Sequence, residues 1–137
     1  MTGALTPQSA LIYVMVVVSA SDARMSDEEL HTIGHFVRSL PAFDGFDEKS
    51  LIPAARECAL ILQETNGLEH VLAMVSDALP AHLYETAYLI ALDVALADSP
   101  VVPEESRVLQ RLRAALHIDP LIAAALSRAA RARHARL

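Results

Sequence analysis

The chain has 137 residues, the size of one domain, and 53% of them are hydrophobic, which supplies ample material for a core and excludes a disordered segment. A net charge of −6 argues against a generic nucleic-acid surface. That average covers an asymmetry: residues 1–98 carry 14 acids against 4 bases, and residues 99–137 carry 3 acids against 7 bases, so an acidic body ends in a basic tail.

With Gly scarce and Ala and Leu abundant, the predicted elements are helices. The first runs from about Pro7 to Ala20, with Thr6 as its cap and Pro7 in its first turn. Its β-branched residues (Ile12, Val14, Val16, Val17, Val18) also fit a buried strand. A matching segment at 87–97, built of Ala and Leu, decides for helix. Apolar on all sides, it reads as a helix surrounded by others. Ala10–Val18 has the character of a signal-peptide core, but residues 1–9 carry no Lys or Arg and the counterpart at 87–97 lies mid-chain. Neither segment reaches the roughly 20 apolar residues of a membrane span.

Ser26 and Glu29 form a Ser-x-x-Glu capping box that opens the second helix. Leu30, Ile33, Val37 and Leu40 line one face, and Pro41 stops it before a loop over 42–46. The third helix opens near Asp47 or Ser50, with Pro53 in its first turn, and runs to about Thr65, where Asn66-Gly67 stops it. The fourth carries Leu68, Val71, Leu72, Val75 and Leu79 and ends before Pro80. The fifth spans roughly 81–97, and the sixth opens at Pro103 with Val108, Leu109, Leu112, Ala115 and Leu116 as its apolar face. Asp119-Pro120 opens the seventh, expected to pack through Leu121, Ile122, Ala125 and Leu126 before it turns basic. Cys58 is the lone cysteine, so no intrachain disulfide forms. It reads as a small buried hydrophobe in a reducing, cytosolic setting.

Laid over itself at an offset of about 76 residues, the chain repeats. An apolar helix ends at Asp22, and Met25, Glu28 and Glu29 follow; the second copy has Asp98, Val101, Glu104 and Glu105 at the same spacings. The fold class is therefore all-α: about seven helices in one domain over 1–137, as two pseudo-symmetric three-helix repeats around two central helices, the first and the fifth. Repeat one covers about 6–66 and repeat two about 81–137, joined by a linking helix at about 67–79.

Two readings of the acidic turns stand. In one, Asp22, Glu28 and Glu29, and likewise Asp98, Glu104 and Glu105, converge on a divalent cation of the Ca or Mg class, though the loop is too short for an EF-hand. In the other they are caps: Asp, Ser and first-turn Glu suit a helix N-terminus at roughly 0.3–1 kcal/mol each. Val102 replaces Ser26 in the second copy, so the acids persist there without the box. His31 and His35 share a face of the second helix with Glu28, read as a partly exposed polar face or, less simply, a transition-metal pair. Asp93, inside an apolar helix, needs a partner such as a helix end or an arginine. Arg128, Arg131, Arg133 and Arg136 read either as a solvated helix end or as a docking face for an acidic protein or an anionic membrane surface. No phosphate loop or nucleophile elbow is present, so no catalytic constellation emerges.

The doubled stretch, Ser19-Ala-Ser-Asp22-Ala-Arg-Met-Ser-Asp-Glu-Glu29 and Ala95-Leu-Ala-Asp98-Ser-Pro-Val-Val-Pro-Glu-Glu105, resembles the tellurite-resistance TerB-like family over roughly residues 10–130. Where that family usually has Gly after the Asp, this chain has Ala23 and Ser99. The resemblance implies an all-helical fold of two three-helix repeats, a tellurite and stress-response role without catalysis, and a cytoplasmic setting near the inner membrane surface. It also implies metal association through Asp22, Glu29, Asp98 and Glu105, with Glu28 and Glu104 as close seconds.

Overall fold

A computed structural model describes residues 5–19, 26–97 and 103–137. These residues form seven α-helices and three short 3-10 turns, with no strand among them. The helices are α1 (Pro7–Ser19), α2 (Asp27–Ser39), α3 (Leu51–Leu62), α4 (Gly67–Ala78), α5 (Tyr84–Leu96), α6 (Pro103–Ala115) and α7 (Pro120–Arg133).

The core is built around α1. Every residue from Ala10 to Val18 is at most 4% exposed, because α1 packs on α3, α4 and α5 and also meets α2 and α6. A helix enclosed on all sides has no polar stripe to keep, which is why its sequence lacks amphipathic periodicity. Each large apolar side chain buried this way contributes about 1.5–3 kcal/mol. Thr6 Oγ1 accepts from the Ser9 N–H at 3.1 Å and so caps the helix as its position suggests. Gln8 Nε2 donates to the carbonyls of Ala42 and Asp44, both at 3.1 Å, and ties the start of α1 to the α2–α3 connection.

Burial around α1 also shifts two titrations. The Cys58 thiol, from α3, donates to the Tyr13 carbonyl at 3.8 Å, and burial pushes its pKa up to about 12. The Tyr13 phenol is pushed up to about 12 as well, first by burial and then by the Glu57 carboxylate, to which it donates at 3.4 Å. Both groups therefore stay neutral inside the core.

Local chemistry sets the element ends. Pro41 closes α2 and starts a 3-10 turn over Pro41–Phe43, so the loop expected over 42–46 begins as a tight helical turn. A second 3-10 turn, Glu48–Ser50, is capped by Asp47 Oδ1 accepting from the Lys49 N–H at 3.0 Å. It leads directly into α3, which ends at Leu62, three residues short of expectation. Asn66 takes the left-handed conformation with φ of 58°. Gly67 does not share that conformation; it is the first residue of α4 and is needed for another reason. A Cβ there would lie 2.3 Å from the Ile61 carbonyl oxygen, so only glycine lets α4 start against the end of α3.

One expected packing face is corrected. Leu121 is 78% exposed and Ile122 38% exposed, whereas Ala123 and Ala130 are buried. α7 thus lies on α5 through its small residues, with Leu126 partly buried beside them. Alanines at the contact let two helix backbones come close, and that choice turns the larger side chains at 121 and 122 outward.

Candidate functional site

Asp22 and Asp98 lie outside the described residues, so the acidic turns are seen from their glutamate halves. In the first, Ser26 Oγ accepts from the Glu29 N–H at 3.1 Å while Glu29 Oε1 accepts from the Ser26 N–H at 2.9 Å. The capping box is complete and engages the Glu29 carboxylate. Glu28, one residue earlier, is exposed and borders a shallow depression with Asp27, His31 and Thr32. In the second, Pro103 opens α6, Glu104 is exposed and Glu105 is half-buried. Each glutamate pair thus occupies the first turn of its helix, as the spacing implied. Among the described residues, no three His, Cys, Asp or Glu side chains gather where they could hold a metal ion.

A second constellation forms beside the depression at Glu28, with which its lining shares His31 and Thr32. Asp93 is the one buried charged residue among those described, with its side chain 10% exposed. It lies on α5, and the end of α7 reaches it. Arg133 Nε donates to Oδ1 at 3.2 Å and its terminal nitrogen to Oδ2 at 3.4 Å. His134 Nε2 lies 3.0 Å from the same Oδ1. The carboxylate anticipated to need an arginine has found one, together with an imidazole. The two-pronged geometry holds the guanidinium in one plane and fixes the last turn of α7 on α5.

These groups stand at one end of a cleft of about 620 Å³ between α2, α5 and the tip of α7. From α2 come His31, His35, Phe36 and Leu40, and from α5 come Thr86, Leu89, Ile90 and Asp93. On each helix the lining residues recur three or four apart, so one face of each makes a wall. The Phe36 ring is held edge-on by His35, at a centroid distance of 5.7 Å. Ser39 Oγ, also in the lining, donates back to the His35 carbonyl, and Thr32 Oγ1 donates to the Glu28 carbonyl at 3.1 Å. These hydroxyls are therefore occupied within α2. His31 and His35 line the cleft opposite α5, a placement that neither sequence reading of the pair, as a polar helix face or as transition-metal ligands, anticipated. The i, i+4 spacing was the available signal; the opposing wall, some 60 residues away in the chain, was not.

A family model described as tellurite resistance protein TerB matches residues 8–129. The chain belongs to the TerB family. The TerB match begins in the first turn of α1 and takes in both acidic turns and the two long walls of the cleft. Arg133 and His134 lie beyond the matched residues. No curated protein and no solved structure matches the chain. The described part of this TerB chain has no helix long and apolar enough to cross a membrane.

Proposed function

We propose that this TerB chain is a non-catalytic, metal-associated module of a tellurite and stress response, working in the cytoplasm near the inner membrane surface. The observation that carries the proposal is the placement of Glu28 and Glu104. Both are exposed first-turn glutamates of helices that follow an aspartate at the same spacing. A cation at such a place faces the positive end of a helix dipole, so several carboxylates have to supply the attraction. That requirement favours a hard, oxygen-liganded ion of the Ca or Mg class, with Asp22, Glu28 and Glu29 at one turn and Asp98, Glu104 and Glu105 at the other.

Titration of the purified protein with Ca²⁺, Mg²⁺, Mn²⁺ and Zn²⁺, followed by its thermal midpoint, tests this. A cation at 100 times its Kd stabilises by about 2.7 kcal/mol. The expected result is a rise in midpoint with a hard cation that disappears in Asp22→Asn/Asp98→Asn. No shift with any cation, or a shift kept in that variant, defeats the metal role.

A second reading rests on α7. Arg128 and Arg131 are exposed on α7, as are Leu121 and Ile122, and Arg136 is exposed just beyond its end. Basic and apolar groups together suit an acidic protein partner or an anionic membrane surface. Because Arg133 is held by Asp93, the informative variant replaces only Arg128, Arg131 and Arg136 by Gln. Unchanged pull-down partners and unchanged liposome binding count against this reading.

A further inference from the structure

The cleft between α2, α5 and α7 is not used by either reading. Its floor is apolar, from Phe36, Leu89 and Ile90, while its rim carries three imidazoles and a guanidinium. Its volume of about 620 Å³ falls within the range of small-molecule sites.

The charge of the rim selects the ligand. Among the described residues Asp93 is the single carboxylate in the lining, and Arg133 and His134 already occupy both its oxygens. A cation entering here would have to displace the guanidinium, and no three metal ligands converge among the described residues. An anion meets the opposite situation. Arg133 uses only two of its nitrogens on Asp93, its side chain is 55% exposed, and it keeps further N–H donors. His31 and His35 add two imidazoles able to donate from the facing wall. Residues 1–98 carry 14 acids against 4 bases, and here two groups from the basic tail, Arg133 and His134, come against that body.

We infer that this cleft binds a small amphiphilic anion, its carboxylate or phosphate head held by Arg133 and the imidazoles and its aliphatic chain lying on Phe36, Leu89 and Ile90. None of the acidic-turn glutamates takes part in this binding, although His31 and Thr32 also line the depression beside Glu28. Asp93 acts in it as a positioning residue: it fixes the plane of the guanidinium and leaves the remaining donors aimed outward.

The probes are decanoate, decyl phosphate, inorganic phosphate and decylammonium, each followed by calorimetry and by the thermal midpoint. Decanoate and decyl phosphate are expected to bind and, at 100 times Kd, to raise the midpoint by about 10 °C. Inorganic phosphate lacks the apolar chain and decylammonium carries the wrong charge, so both are expected to leave it unchanged. Arg133→Gln should weaken decanoate by about tenfold. Thr86→Trp, which fills the cleft from α5, should abolish the shift; His31→Gln/His35→Gln, at two exposed positions, gives a second variant whose folding is not at issue and should weaken decanoate comparably. Co-sedimentation with phosphatidylglycerol vesicles that decanoate competes away would identify the source as a membrane lipid. Decanoate binding without co-sedimentation would identify a free amphiphile. Absence of binding by both anionic amphiphiles, equal binding of decylammonium, or binding unaffected by both the cleft-filling and the imidazole variants would overturn the inference.

Discussion

The Asp93 cluster should respond asymmetrically to the loss of its two sides. Asp93 has a side chain only 10% exposed, while Arg133 is 55% exposed and His134 24%. Removing the cations strands a buried carboxylate; removing the carboxylate leaves cations that can turn to water. Breaking a fully buried pair from one side costs about 3–5 kcal/mol, and loss of a hydrogen bond to a charged group about 1.5–3. For a carboxylate this buried, Arg133→Met/His134→Leu is expected to cost about 2–4 kcal/mol. Asp93→Leu places an apolar side chain in an apolar helix and frees two side chains that already reach solvent, so its cost should stay within about 1 kcal/mol. The triple variant should be no less stable than Asp93→Leu within about 0.5 kcal/mol, since the stranded charge is gone. Urea unfolding followed by circular dichroism measures all three. The double variant should lower the midpoint by more than about 1 M at constant slope. If Asp93→Leu costs as much as the double variant, desolvation of the carboxylate is not what the cluster offsets, and the reasoning fails.

Two further outcomes follow from the fold. Ser26→Ala should cost about 1 kcal/mol and Ser26→Asp almost nothing, because an aspartate oxygen also accepts from the first turn of α2; equal stability of all three forms would mean that the capping box contributes little. Stability should also fall in alkali. Unfolded Cys58 and Tyr13 release protons near their ordinary values of 9.0 and 10.0, whereas in the fold both are raised to about 12. Their contribution is therefore fully present below about pH 9 and lost as pH rises toward 12, because the unfolded chain then binds fewer protons. Urea midpoints from pH 8 to 11.5 check this, and a flat profile above pH 9 would contradict the neutral, buried assignment.

Local rules made much of the fold legible. The prolines at 7, 41, 103 and 120, the Ser26–Glu29 box and the Asp119 cap each act within a few residues, and each is found where the sequence puts it. What local rules miss is the choice between faces. α7 is apolar from 121 to 126 and periodicity cannot say which side turns inward; the alanines at 123 and 130 prevail because close approach to α5 rewards small residues. Gly67 was readable as a stop, but its actual constraint, a carbonyl oxygen 2.3 Å from an added Cβ, exists only once α3 and α4 are packed. The cleft shows the same limit. His31, Asp93 and Arg133 each drew attention singly, yet their meeting depends on three helices brought together over some 100 residues of chain. Of the acidic-turn glutamates, Glu29 was legible as a cap partner from its Ser-x-x-Glu spacing, and its capping box is complete.

The enclosure of α1 also bears on how the protein survives in a cell. Leu11–Val18 is uncharged, free of proline and rich in β-branched residues, the composition that favours cross-β stacking when a segment is left uncovered. It is translated before any of the helices that cover it, so the ribosome releases an aggregation-prone stretch that waits for α3, α4 and α5. No gatekeeper charge interrupts it, because none fits inside the folded core. Covering this stretch as the chain emerges is therefore a demand on folding distinct from the equilibrium stability of the finished core.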